Sequence, residues 1–171
     1  MNMMETVRRR SSVRRYTGQP VSRQQILEIL QAGLLSPSSG ALRPWELFVV
    51  EAPEQLARLG KSRPGSISML CRASAAIVVV GEPERSEFWV EDCAAVMAQM
   101  HLAAVGLGLG SCWIQGRGKD DGAGGSLDER VREILGYRKE LTLEAILSLG
   151  VPASEASRRL PEALWDKVHW S

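Results

Sequence analysis

The stretch WVEDCAAVMAQMHLAAVGLGLGSCWIQ, residues 89–115, decides how this chain folds. From Trp89 to about Leu107 it reads as one long helix. Ala94, Ala95, Ala98, Ala103 and Ala104 keep several of its sides narrow, so other elements can approach closely on more than one side. That places the helix near the middle of the molecule. It does not read as a membrane span, because Gln99 and His101 interrupt it, Glu91 and Asp92 open it, and about 20 clean apolar residues are needed to cross a bilayer. Glycines 106, 108 and 110 end the helix, and Ser111 to Gln115 begins a strand. The glycine series invites a dinucleotide-binding reading, but a Rossmann glycine loop follows a strand and opens a helix, and this one does the reverse. Two readings remain for it: a helix cap with a tight turn, or a close approach of backbone to a flat ligand.

Working outward, Ala75 to Val80 is a short, continuous apolar run, as expected of a strand covered on both faces. Trp45 to Val50 reads as another strand. Ser22 and Gln25 have the spacing of a capping box, with Val21 stapled onto Ile26, for a helix running to about Leu35. Ser36-Pro37-Ser38-Ser39-Gly40 breaks that helix. Pro53 starts a short helix to Leu59, and Lys61 to Ser68 is polar and loop-like. Towards the C-terminus, Gly116 to Gly125 reads as a mobile surface loop. Ser126 and Glu129 have the spacing of a second capping box, for a helix ending at Gly136. Leu141 to Leu149 reads as the last strand. The alternation of helices and strands implies a layered α/β arrangement in one domain over residues 1–171. The tail from Val151 has no clear period but carries Leu160, Leu164, Trp165, Val168 and Trp170, apolar groups that call for a covering surface such as a second subunit.

Composition narrows the function classes. Of 171 residues 44% are apolar and 24% charged, and 21 basic residues against 20 acidic give a net charge of +1. That balance argues against a dedicated nucleic-acid or membrane-surface binder. Cys71, Cys93 and Cys112 include no CxxC pair, so no structural zinc site, thioredoxin-type motif or disulfide scaffold is expected. The N-terminus runs from Met1 to Val7 straight into Arg8, Arg9 and Arg10, without the apolar stretch of a signal peptide, so a cytoplasmic protein is expected.

The usual catalytic groups are scarce. His101 lies inside the apolar helix, and His169 lies two residues from the end; both read as structural. No HExxH or GxSxG motif occurs, and Cys112 sits in a strand, where free cysteine is mostly a small apolar residue. Chemistry here would then come from a cofactor. Arg10-Ser11-Ser12-Val13-Arg14 fits such a role, because two arginines four apart with hydroxyls between them can surround a phosphate. A solvated basic tail is the competing reading. Arg158-Arg159 is a second basic pair, and one phosphate gripped by both ends of the chain would account for both.

Together these segments resemble the FMN-dependent nitroreductases. Arg10 to Tyr16 looks like that family's R-x-S-x-R-x-[FY] signature, and Ser36 to Glu46 like its A-P-S-S-x-N-x-Q-P-W segment. Gly106 to Ile114 resembles its G-L-G-x-C-W-I turn, and Arg158 to Pro161 with Val168-His169-Trp170 its K-x-R…V-H-W tail. The resemblance implies an α+β, three-layer fold with a central, mainly antiparallel sheet flanked by helices. It also implies a homodimer with exchanged C-terminal arms and FMN at the interface. On this resemblance Arg10, Ser12, Arg14, Arg158 and Arg159 hold the phosphate, the ribityl chain or the polar ring edge, with Ser11 assisting. Pro37, Ser38 and Ser39 reach the flavin from the other subunit, Leu42 and Arg43 also bind the cofactor, and Gly110 and Ser111 lie along its ring. NADH or NADPH would reduce the flavin, and a small electron-poor acceptor, a nitroarene or a quinone, would then reoxidise it in a ping-pong cycle without an acid–base dyad. No nucleic acid, membrane, metal or catalytic side chain is implied.

Two positions depart from the pattern: Ala41 stands where many members have Asn, and Arg43 where Gln is usual. A cation at Arg43 would favour a reduced, anionic flavin. Other readings are a flavoprotein with specialised chemistry (flavin fragmentation or dehalogenation), a non-catalytic FMN-binding protein, and a basic-tailed interaction module without cofactor. Acceptor choice would reside in the loops 61–68 and 116–125.

Overall fold

The computed structural model describes residues 2–63, 65, 67–154 and 165–171. Four strands build one sheet: β1 (Trp45–Val50), β2 (Ala75–Gly81), β3 (Gly110–Gln115) and β4 (Thr142–Gly150). They lie in the order β1-β2-β4-β3, with every neighbouring pair antiparallel. The helices are α1 (Met3–Arg9), α2 (Arg23–Leu34), α3 (Pro53–Lys61), α4 (Trp89–Gly106) and α5 (Leu127–Leu135).

The apolar run of β2 is buried along its whole length because both faces are covered. Side chains alternate across a strand. Ile77 and Val79 therefore join Ile26 and Ile29 of α2 and Val96, Met97 and Met100 of α4. Val78 and Val80 point the other way, to Leu56 and Leu59 of α3 and Leu127 and Val131 of α5. The result is three layers, helices on each side of an antiparallel sheet. In β4 the alternation slips at Glu144, where the register with β2 shifts between Val79 and Val80. The bulge leaves Glu144 buried beneath Arg117, whose Nε lies 2.9 Å from the carboxylate, and Gln115 donates to it at 2.9 Å.

Local signals explain most boundaries. Ser22 and Gln25 form the expected reciprocal cap on α2, and Pro53 opens α3. Helix α5 ends at Gly136 as read, but Ser126 makes no side-chain cap and the second capping box does not form. The Leu127 N–H is instead satisfied by the Lys119 carbonyl at 3.0 Å, and Ser126 pairs with Asp120. The same loop corrects the expectation of a mobile 116–125 segment. The buried Asp121 carboxylate accepts from the N–H groups of Ala123 and Gly125, each at 2.8 Å, and from Arg130 Nε at 3.1 Å. Helix α1 was not legible as a helix because it is only seven residues long, and Met3, Met4 and Val7 on one of its faces stay exposed. It is held by Asn2 capping Glu5 and by an Arg9–Glu5 ion pair one turn apart.

After α1 the chain crosses the end of the sheet. Ser12 pairs in parallel with Ser111 of β3, and Val13 N–H donates to the Ser111 carbonyl at 2.9 Å. Beyond them Tyr16 pairs with Pro152, just past β4, and Thr17 N–H donates to the Val151 carbonyl at 2.9 Å. The Tyr16 hydroxyl donates to the Val13 carbonyl at 2.9 Å and shares a 2.6 Å hydrogen bond with Ser148. The crossing and the turn before it explain two of the three glycines at the end of α4 and the start of β3. Gly108 takes the left-handed backbone (φ +76) that turns the chain into β3. Gly110 lies under Val13, whose Cγ1 would sit 2.7 Å from any Cβ added there. Gly106 meets nothing.

Alanine at these two glycines should therefore act in opposite directions. Gly110→Ala forces Val13 off the sheet and should destabilise by about 1–3 kcal/mol, as overpacking does. Gly106→Ala lies in open helix and should stabilise by about 0.5–1 kcal/mol. Urea unfolding of the two variants checks this.

Candidate cofactor site

The sequence motifs assemble into two clusters along α4. The first is the crossing segment. Arg10, Ser12 and Arg14 are exposed, and Ser11 is half-buried. Some arginines have carboxylates: Arg23 meets Glu51 at 2.6 Å, Arg138 meets Glu46 at 2.6 Å, and Arg132 meets Asp128 at 2.6 Å, whereas Arg8, Arg15, Arg43, Arg58, Arg72 and Arg85 make no ion pair among the described residues. Arg10 and Arg14 make no ion pair among the described residues, although the parallel bridge and the Tyr16 clasp fix the backbone that carries them. Guanidinium groups flanking hydroxyls, with no carboxylate to neutralise them among the described residues, are a set suited to a phosphate.

Beneath the arginines lies a polar contact that the sequence reading did not assemble. His101 of α4 is 4% exposed, and both its ring nitrogens are engaged. Nδ1 lies 2.5 Å from the Ser111 hydroxyl, and Nε2 lies 3.2 Å from Arg10. Burial, helped by the Arg10 charge, pushes the imidazole down to about 4, so it is neutral near pH 7. Ser111 is itself fully buried, with its side chain turned to His101, and Gly110 is buried under Val13. Cys112 is buried too, and desolvation raises its thiol, partly offset by Arg14. That is the wrong direction for a nucleophile.

The second cluster is the turn between α2 and β1. Pro37, Leu42 and Arg43 are exposed, and Ser38 and Ser39 are half-buried. The turn is tight: Gly40, Ala41 and Arg43 have φ of +55, +55 and +47. For the two non-glycine residues this backbone costs roughly 1–2 kcal/mol each. Two bonds hold the turn in place. Ser38 Oγ accepts from Arg43 N–H at 2.9 Å, and the buried Asp92 at the start of α4 accepts from Ser39 N–H at 2.8 Å. The other Asp92 oxygen and the Ser36 hydroxyl are buried without a partner among the described residues. The sequence showed Asp92 only as an acidic residue in a helix's first turn.

Among the described residues no hydrogen bond joins the two clusters. Asp92 and His101 are nine residues apart on α4, about 14 Å along its axis at 1.5 Å per residue. Arg158 and Arg159 lie outside the described residues, as do Leu160 and Leu164. The end of the tail is exposed, Trp165 by 70% and Trp170 by 90%.

The Nitroreductase family model matches residues 7–67 and 61–151, both clusters included. The chain belongs to the nitroreductase family. An Archaeoglobus fulgidus protein, provisionally named an NADH dehydrogenase/NAD(P)H nitroreductase, is 35% identical over 85% of this chain and 83% of its own length. Among solved structures, an FMN-dependent nitroreductase from Clostridium difficile R20291 superposes with a TM-score of 0.93 at 34% identity, covering 98% of each chain. A protein from Parabacteroides distasonis, provisionally named in the same way as the archaeal one, superposes at 0.89 with 29% identity over 99% of this chain and 98% of its own. The α+β nitroreductase fold expected from the motifs is the fold observed.

Stability should depend on pH through His101. Unfolded, its imidazole takes a proton near 6.5; folded, it resists until about 4. The stabilisation is complete above 6.5 and is lost as pH falls from there towards 4, by an amount on the order of 3 kcal/mol. His101→Gln removes this titration, so urea midpoints of the variant should vary less between pH 6.5 and 4 than those of the parent protein. Identical slopes would contradict the assignment.

Proposed function

We propose that this nitroreductase-family chain is an FMN-dependent NAD(P)H oxidoreductase. In this reading residues 1–171 form a single FMN-binding domain, which works as a cytoplasmic homodimer and passes electrons to a small electron-poor acceptor in a ping-pong cycle. The observation that carries it is the pair of arginines, Arg10 and Arg14, exposed and without carboxylate partners among the described residues. They stand on a backbone clamped to β3 and β4. The name of the Clostridium difficile relative supports FMN, and the provisional name of the archaeal relative supports NAD(P)H.

Arg10, Ser12 and Arg14 would hold the phosphate and ribityl chain, with Ser11 beside them and Arg158 and Arg159 joining from the tail. FMN supplies the hydride-accepting and hydride-donating centre. The protein's part is to bind and orient, and neither the buried His101 nor the buried Cys112 is needed as an acid, base or nucleophile. Gly110 and Ser111, expected along the flavin ring, are buried beneath Val13 and against His101, and in this reading they set the floor on which the arginine segment rests. Pro37, Ser38, Ser39, Leu42 and Arg43 serve the flavin of the second subunit. The separation of the two clusters within one chain and the exposed Trp165, Val168 and Trp170 support that dimer, with the tail as the exchanged arm. Among the described residues no helix is long and apolar enough to cross a membrane.

Purified protein should be yellow, release about one FMN per chain on denaturation, and bleach with NADH or NADPH under anaerobic conditions. Colourless protein that cannot be reconstituted would overturn the reading. Arg10→Ala and Arg14→Ala should each weaken FMN by about 1.5–3 kcal/mol, roughly one to two powers of ten, while riboflavin affinity changes much less. Fluorescence titration with both flavins separates phosphate recognition from folding.

Arg43 places a guanidinium on a constrained backbone, and in this reading it faces the flavin edge that becomes negative on reduction. A fixed charge in a partly dry pocket stabilises that state. Arg43→Gln should lower the midpoint potential and slow reduction by NAD(P)H, with only a modest loss of FMN affinity. An unchanged potential in a spectroelectrochemical titration would remove Arg43 from this role.

A further inference from the structure

We propose that His101 is a positioning residue for phosphate recognition: it locks Arg10, through a hydrogen bond to Nε2, in the orientation that meets the phosphate, and is itself locked by Ser111 through Nδ1. The inference rests on the reading of Arg10 as a phosphate ligand given above.

The donor and acceptor roles follow from chemistry. A guanidinium has N–H donors and no acceptor. In the 3.2 Å contact Arg10 must therefore donate, and His101 Nε2 must accept. A neutral imidazole with a bare Nε2 carries its proton on Nδ1, so Nδ1–H donates to the Ser111 hydroxyl at 2.5 Å. Ser111 cannot swing away, since it is fully buried and its backbone pairs with Ser12 and Val13. The order of rigidity runs from β3 through Ser111 and the ring to one nitrogen of an exposed arginine. The rest of the Arg10 guanidinium has no hydrogen-bond partner among the described residues and stays available to an anion.

An arginine free in solvent loses side-chain entropy when it grips a phosphate. One held by a buried ring has already lost much of it. The arrangement works only with neutral imidazole, because a second proton would remove the acceptor and set two cations 3.2 Å apart. Among the described residues the groups that hydrogen-bond the ring are Arg10 from the end of α1 and Ser111 from β3, and no carboxylate does so.

Two substitutions divide the roles of the ring. His101→Gln places an amide oxygen near Nε2 and can still accept from Arg10. His101→Asn reaches only the Nδ1 position and keeps the Ser111 partner alone. Full-length protein freed of flavin is titrated with FMN and with riboflavin, for the parent, both variants, Arg10→Ala, and Arg10→Ala combined with His101→Asn. His101→Asn should weaken FMN about fivefold to tenfold, the worth of one hydrogen bond, and leave riboflavin within about twofold. His101→Gln should recover most of the FMN affinity. In the Arg10→Ala background, His101→Asn should cost nothing further.

Nitrogen-15 spectra of the parent protein should show the proton on Nδ1 at pH 7. Equal losses for both flavins, full additivity with Arg10→Ala, or a proton on Nε2 would overturn the proposal. If Arg10→Ala leaves FMN affinity untouched, the underlying phosphate reading fails. If Arg10→Ala is costly and His101→Asn is not, only the positioning role fails.

Discussion

The structure depends on a crossing. Residues 12–16 leave helix α1 and lie across the ends of β3 and β4, tied by the Ser12–Ser111 bridge, the Val13 amide and the buried Tyr16 hydroxyl. Burial raises the Tyr16 phenol to about 12, so it remains a protonated donor at any ordinary pH. Because the segment is fixed, its arginines present charge at a defined place. A flexible basic tail would offer the same charges without an address. The crossing constrains the sequence beneath it: Gly110 must lack a side chain where Val13 lies, and Gly150 where Tyr16 lies.

Helix α4 connects this crossing to the rest of the molecule. Its apolar residues form the core with α2 and the sheet, which is why it is central. Its two buried polar residues point to the two ends of the candidate site. Asp92 holds the strained turn at Ser39, and His101 holds Arg10 and Ser111. Burying a polar side chain costs free energy unless it is hydrogen-bonded. The helix accepts that cost at two places, and at each the partner lies in a segment that the sequence motifs mark as cofactor-binding.

Much of this was legible beforehand. The unbroken apolar run of β2, the Ser22–Gln25 cap, Pro53 at the start of α3 and the small-residue character of α4 are local signals, and each predicted its element. The motif segments marked the candidate binding residues. What was missed depends on contacts distant in sequence. Helix α1 spans only seven residues and buries none of them. The Lys119 carbonyl on the Leu127 N–H stands where spacing alone predicted a capping box. His101 read as a structural histidine, and only the fold shows that its two nitrogens join residues 10 and 111. The strain at Ala41 and Arg43 left no trace in residue type, since neither is a glycine.

The central claim is that the clamped arginine segment is where the cofactor phosphate binds. A crystal structure of the full chain with FMN tests it most directly. The account predicts the phosphate within hydrogen-bond distance of the Arg10 and Arg14 guanidinium groups, with the Arg10–His101 contact intact. A phosphate bound elsewhere, with both arginines in solvent, would contradict it.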